Sequence, residues 1–320
     1  MRLGLYVNLY GNAEPDLADI VEQARAAEAA GFSWLVLGER HLNPAGYHEI
    51  LTSLTWLAAR TSTIRLATAG IVAPFYHPVL LAEQLAHIDQ LSGGRLDAGF
   101  VIGYRDEEFS LFNAERRHRG QHFEEVLTAL VSLWTQPRTT LHGRFVELAD
   151  AYLSTRPHQQ PRPPLWNGGR VSAALERTAR LCDAWTTSFN ELDVELPDKI
   201  AEYRSYPTGP GSLGKQVLVC REGMCAETSQ GARAAIEEPL HALYQGYLGW
   251  KAGSADRGRY ADDWTAIQAR SLIGSPAECA EAMHRYAAMG CDGLILRIQP
   301  DGVRQRDVLG AIERFGALLG

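Results

Sequence analysis

The chain is poor in cysteine: Cys182, Cys220, Cys225, Cys279 and Cys291 are its five among 320 residues. The number is odd and no Cys-x-x-Cys occurs, which argues against a disulfide framework or a zinc knuckle. The five read as small buried hydrophobes. Long hydrophobic runs are missing too, since none approaches the ~20 residues needed to span a bilayer. Neither sign of charge is concentrated. A net charge of −7 with acids and bases interspersed leaves no basic stripe for nucleic acid and no polybasic tail for a membrane. Met1-Arg2-Leu3-Gly4-Leu5 runs straight into a strand-like segment without a leader. A soluble, cytoplasmic protein with neither nucleic-acid nor membrane partners is expected. Several motifs are absent as well. There is no P-loop, no Gly-x-Gly-x-x-Gly after a strand, no zinc-protease helix and no nucleophile elbow, which disfavours a self-contained nicotinamide site and a serine hydrolase.

What is present is a rhythm. Apolar residues form 46% of the chain, enough for a sizeable core. Strand-like runs fall at 2–10, 34–37, 64–72, 96–103, 164–167, 184–188, 215–226 and 293–298. Most read as buried on both faces, the pattern of a parallel sheet covered by helices. Helical periodicity fills most intervals: Pro15 to Gly31, 49–60, Pro78 to Ser92, Glu115 to Trp134, 172–181, a stretch after 226, Pro276 to Met289, and the last residues. Eight such strands alternating with helices predict an α/β fold, a (β/α)8 (TIM) barrel, in one domain over residues 1–320. Two stretches break the rhythm and read as insertions. Residues 136–162 hold several prolines and a strand-like piece, Arg144 to Leu148. Residues 249–263 are polar and read as an insertion or a mobile loop.

The chemistry-bearing stretch is Glu39-Arg40-His41, which follows the apolar run Trp34 to Leu37 and Gly38. A carboxylate, a guanidinium and an imidazole at the carboxyl end of a parallel strand sit where such folds place their reactions. The bland alternative is a solvated charge cluster. Gly168-Gly169-Arg170-Val171-Ser172 joins a strand to a helix. It reads either as an anion-binding turn or as a tight turn with a serine cap. Gly70 inside its strand marks close approach of a ligand or of another backbone. His118 and His122, four apart on a helix, have metal-ligand spacing but read better as two surface histidines. Arg119 between them faces either an anion or water. His77-Pro78 reads as a helix start.

Several stretches together resemble the bacterial luciferase-like family of flavin-dependent monooxygenases. They are Gly31 to His41, Ile64 to Val72 with His77-Pro78, Ala82 to Leu96, Gly103-Tyr104-Arg105 with Glu108-Phe109, Pro164 to Gly169, and Ile273 to Glu278. They occur in the family's order and cover nearly the whole chain. The resemblance implies a (β/α)8 barrel with insertions that binds reduced flavin mononucleotide (FMN) at the carboxyl end of its strands. A separate NAD(P)H-dependent flavin reductase would supply it. Oxygen would add to the reduced flavin, and the peroxide would oxygenate a small-molecule substrate. A homodimer is implied as well. Residue by residue, Ala69-Gly70 matches a non-prolyl cis peptide beneath the flavin ring, and Val101 would line that ring. Gly168, Gly169, Arg170 and Ser172 match the phosphate loop, with Arg119 reaching the same phosphate. His41 matches the second histidine of a Glu-His-His triplet.

The departure is Arg40, which replaces the first histidine, so light emission from an aldehyde is not expected. Arg40 stays protonated and cannot be a base. It is left to bind an acidic substrate, to stabilise a peroxide anion, or to pair with Glu39. Tyr47, His48, Tyr104 and Arg105 are expected at the mouth, near substrate. Two alternatives stay open. A branch of the superfamily transfers hydride with the deazaflavin coenzyme F420, although its usual Asp-His is not the Glu-x-His found here. A catalytically silent, flavin-binding partner subunit is the other.

Overall fold

The computed structural model describes residues 1–9, 16–42, 49–250 and 264–319. In chain order, β1 (Arg2–Tyr6) leads to α1 (Leu17–Ala29), whose first turn is capped by the Asp16 carboxylate accepting from the Ala18 amide. Next come β2 (Trp34–Leu37), buried at all four residues, and α2 (Ile50–Ala58), capped by Glu49. β3 (Arg65–Thr68) and β4 (Ile71–Val72) follow, separated by a cis peptide between Ala69 and Gly70. α3 (Pro78–Ser92) begins on a proline and ends at Gly93 in the left-handed region, φ 68°. β5 (Leu96–Val101), α4 (Asp106–Leu111) and α5 (Arg119–Thr135) come next. A hairpin of β6 (Thr139–His142) and β7 (Glu147–Ala151) separates α5 from β8 (Leu165–Gly168). The rest is α6 (Ser172–Leu181), β9 (Ala184–Thr186), α7 (Leu196–Ser205), β10 (Gln216–Cys225), α8 (Ser229–Trp250), α9 (Trp264–Ala269), β11 (Leu272–Gly274), α10 (Pro276–Ala288), β12 (Gly293–Arg297) and α11 (Gln305–Ala317). α10 starts with a full capping box, Ser275 with Glu278.

The chain divides into two compact units, and both divisions that cut a strand fall in β2 or β9. The first unit holds residues 1–36, 186–202 and 216–320. In it β1 pairs in parallel with β2 and β12, and β10 pairs in parallel with β12 and β11. The Thr187 amide, just after β9, donates to the Leu218 carbonyl of β10. The second unit holds residues 37–185 and 203–215. Here the Ala69 amide donates to Leu37 at the end of β2, β3 and β4 pair in parallel with β5, and β5 pairs in parallel with β8. Asp183 then donates to Leu165, carrying the ladder to β9. The strand order β10-β12-β1-β2-β3-β5-β8-β9, with β9 pairing β10, is that of a (β/α)8 barrel.

Every interior strand expected from the apolar runs is found. The run 64–72 is two strands, because the backbone turns at Ala69-Gly70. The long helix begins at Arg119 rather than Glu115, after a single 3₁₀ turn at Arg116–His118. The piece Arg144 to Leu148 is mostly the tip of the hairpin, which Glu125 of α5 holds by accepting from the amides of Arg144, Phe145 and Val146. Helices α4 and α7 and the three-residue β11 carry too few apolar repeats to read from periodicity. Of the stretch 249–263, the first two residues belong to α8 and the others lie outside the described residues. All five cysteines are buried thiols. Among the described residues, no helix is long and apolar enough to cross a membrane.

Candidate active site

The site is assembled in the second unit where β2 ends. Its apolar residues bury the strand, and the chain then delivers Glu39 into a polar niche where its side chain is only 3% exposed. Both carboxylate oxygens have donors. Oε2 accepts the Val72 amide of β4 at 2.6 Å, and Oε1 accepts the Tyr76 hydroxyl. The turn at Ala69-Gly70 precedes β4, the strand that presents the Val72 amide. That turn packs against β5 at close range. Thr68 Oγ1 bonds both the amide and the carbonyl of Gly99 at 2.7 Å, and a Cβ on Gly99 would stand 1.8 Å from the Thr68 carbonyl oxygen.

His41 is held by its backbone. Its amide donates to Glu108 Oε1 at 3.1 Å, and its carbonyl accepts from Arg105 Nη1 at 2.9 Å. Arg105 also donates to Glu108 at 3.0 Å, so α4 closes a three-way brace around the residue. The ring packs at 4.5 Å from Phe112 and 6.0 Å from Phe75, and those two phenylalanines stack on each other at 4.7 Å. His41 Nε2 lies 3.5 Å from Glu39 Oε1 and makes no hydrogen bond among the described residues. Burial by itself lowers the imidazole pKa. The carboxylates of Glu39, Glu108 and Glu49 oppose it, and the net direction is upward. Arg40 donates to the Tyr104 hydroxyl at 3.2 Å.

A second group of the expected residues lies at the starts of α5 and α6. Gly168 ends β8, and Gly169 adopts φ 150° while its carbonyl accepts the Trp185 indole N–H at 2.6 Å. A Cβ on Gly169 would come within 2.7 Å of the Ala174 Cβ, so only glycine lets the turn pass beneath the start of α6. That first turn presents amide N–H groups with no partner inside the helix. Glu124 of α5 pairs with Arg177 at 2.8 Å and with Arg180 at 2.6 Å, while Gly120 lies against Arg177. Advancing along α5 therefore advances along α6. The two helices run in the same direction, and both N-termini face one end. Arg119, the first residue of α5, donates through Nη1 to the Arg116 carbonyl at 3.0 Å, and its Nε is buried with no hydrogen-bond partner among the described residues. Burial and the neighbouring Arg116 lower its pKa. Val101 closes β5 opposite Val72 of β4.

The structure thus brings Glu39, Arg40, His41, Tyr104 and Arg105 together, and it sets Arg119 and the Gly168–Ser172 turn on two side-by-side helix starts. Tyr47 and His48 lie outside the described residues. His122 is half-buried rather than a surface residue. Its ring stacks on Phe145 at 4.8 Å, and burial lowers its pKa against the pull of Glu125. His118 stands 3.5 Å from Glu115, and no metal-ligating cluster occurs among the described residues. His77 is the residue before α3, as expected. Sequence reading missed Tyr76, Phe75 and Phe112. The available signal was a pair of aromatics between a strand end and His77-Pro78.

Residues 5–293 match the sequence model of the luciferase-like monooxygenases. The chain belongs to that family. It is 28% identical over 300 residues to the FMNH2-dependent dimethylsulfone monooxygenase of Pseudomonas putida, covering 84% of this chain and 79% of that protein. It is 23% identical over 316 residues to the oxygenase component of a flavin-dependent trigonelline monooxygenase of Acinetobacter baylyi, covering 91% and 87%. The fold matches the crystal structure of monooxygenase RslO1 from Streptomyces bottropensis with a TM-score of 0.86 at 23% identity, over 100% of this chain and 98% of that one. It also matches a coenzyme F420-dependent tetrahydromethanopterin reductase from Methanopyrus kandleri, with a TM-score of 0.78 at 16% identity, over 98% and 97%.

Proposed function

We propose that this chain is the oxygenase of a two-component flavin-dependent monooxygenase. It takes reduced FMN from a separate NAD(P)H-dependent reductase and uses O2 to oxygenate a small organic molecule. The observation that carries the reading is His41 Nε2, a ring nitrogen beside a buried carboxylate at a strand's carboxyl end, with no hydrogen bond of its own. The family membership and the two named relatives support it.

The residues present fit the cofactor. The orphaned Arg119 Nε and the glycine turn at Gly168-Gly169, with Arg170 and Ser172 beside it, suit a phosphate at a helix start. Ala69-Gly70 and Val101, at the adjoining ends of β3 to β5, suit the face of a planar ring. When bound, reduced FMN supplies the two electrons that divide O2 between substrate and water. Around it, His41 holds or moves a proton at Nε2, while Glu39 stabilises the protonated ring. Phe75 and Phe112 form an apolar wall on one side of the imidazole. Arg40 and Tyr104 face the substrate, and Arg105 acts through the His41 backbone. The chain works as a homodimer in the cytoplasm, a state that light scattering reads directly.

The test is anaerobic titration with reduced FMN and, in parallel, with reduced coenzyme F420, followed by admission of O2. Tight binding of reduced FMN with oxygen-dependent product formation is expected. Tight binding of the deazaflavin alone would overturn the cofactor. Flavin binding with neither faster reoxidation nor product would identify a silent subunit.

A further inference from the structure

Glu39 has two oxygens and three neighbours that compete for them. The Val72 amide takes Oε2, the Tyr76 hydroxyl takes Oε1, and His41 Nε2 stands 3.5 Å from that same Oε1 without bonding to it. At that separation a carboxylate still favours the protonated imidazole by its charge, but the hydrogen bond is not made. Tyr76 is a donor across the working pH range, because burial and the Glu39 charge both raise its pKa and the hydroxyl keeps its proton. Among the described residues, the other charged or titratable groups around His41 are Glu108 of α4, Arg105 just before α4, Glu49 at the start of α2, and its chain neighbour Arg40. Phe75 and Phe112 pack against its ring.

We infer that Tyr76 is a positioning residue. By occupying Glu39 Oε1 it makes Glu39 act on His41 through charge and not through a hydrogen bond, and so keeps Nε2 available to the reacting group. The inference deepens the proposed function and rests on its reading of His41 as the proton-handling side chain. Without the Tyr76 donor, that carboxylate oxygen would turn to the next donor among the described residues, His41 Nε2 at 3.5 Å.

Tyr76→Phe tests this while keeping the ring and its packing. The readout is the NMR titration of the His41 ring in the ligand-free chain, set beside the pH profile of product formation with supplied reduced FMN. The variant is expected to titrate higher than wild type by about half a pH unit or more, and the pH profile is expected to move by the same amount. Glu39→Gln, which removes the charge, is expected to titrate below wild type, and adding Tyr76→Phe to it should change nothing further. A His41 titration unmoved or lowered by Tyr76→Phe would overturn the inference. So would an undiminished effect of Tyr76→Phe in the Glu39→Gln background. A shifted titration in a chain that forms no product would uphold the coupling of Tyr76 to His41 and count against the monooxygenase reading instead.

Discussion

The two ends of the strands in the second unit treat their polar groups in opposite ways. At the amino ends, charge is saturated. Arg95, just before β5, donates to the carbonyls of Ala58, Thr61, Ile64 and Ser92 and to the Thr61 hydroxyl. Arg65 makes a two-point contact with Asp97, and Asp89 accepts from the amide and side chain of Gln159. At the carboxyl ends, buried polar atoms are left over: His41 Nε2, Arg119 Nε and Asn167 Oδ1 have no hydrogen bond among the described residues. The first unit does not repeat the contrast, because Arg270 Nε and Nη2, just ahead of β11, are also buried without hydrogen bonds among the described residues. There Asp292, just ahead of β12, exchanges two hydrogen bonds with Val217 of β10, and Asn8 Oδ1 and Gln299 Oε1, beyond β1 and β12, lack hydrogen bonds among the described residues. An unsatisfied buried polar atom costs ~1–3 kcal/mol. An end that accumulates such atoms is organised for something other than its own stability.

The contrast is broken or sharpened by substitutions at each end. The largest effect is expected from His41→Ala. Product formation should fall about a hundredfold, the lower range for loss of a general acid–base group, while binding of reduced FMN stays within about twofold. Unchanged coupled turnover would remove His41 from the reaction. Arg95→Met should do the reverse. It strands several carbonyls and should lower unfolding stability by about 2–3 kcal/mol in urea titration, with cofactor affinity of the folded protein unchanged. A loss of affinity without loss of stability would erase the distinction between the ends. Arg119→Ala should weaken reduced FMN about tenfold, near the value of one charge-assisted hydrogen bond, and leave riboflavin binding alone. Equal effects on both ligands would move the phosphate elsewhere.

The smallest effect is a pH dependence. The pKa of His41 is raised in the folded chain, so its contribution to stability is complete below its unfolded value of about 6.5 and is lost as pH rises through the folded value. The Tm advantage of wild type over His41→Gln should therefore shrink from pH 5.5 to 8.5. An advantage that grows with pH would mean that His41 is held neutral.

Much of the scaffold was legible because burial is written locally. The runs 34–37, 96–101 and 293–297 are almost wholly apolar, broken only by Asp97 and Arg297, and a strand covered on both sides needs that. Asp16, Pro78, Gly93 and Ser275 mark helix ends through bonds made within a few residues. Short elements escaped. α4 has six residues and β11 three, too few for periodicity to register. The segment 136–162 was legible as an insertion, but the turn between its strands was not, because Glu125 of α5 decides which residues form the tip.

The candidate site divides along the same line. The sequence by itself determined that a carboxylate, a guanidinium and an imidazole follow a buried strand, that a glycine turn opens a helix, and that Arg119 lies on the long helix; that Arg119 is its first residue was decided by the structure. It also carried the family, whose stretches recur in order along the chain. Only the tertiary structure decided which atom meets which. Tyr76 reaches Glu39 across 37 residues, and Glu108 reaches the His41 amide across 67. Arg40 and Arg105 lie on either side of the same stretch, yet one bonds Tyr104 and the other braces the His41 backbone. Residue type limits what a side chain can donate or accept. Its partner is chosen by the packing of segments far apart in sequence, where a few tenths of an ångström separate a hydrogen bond from a charge contact.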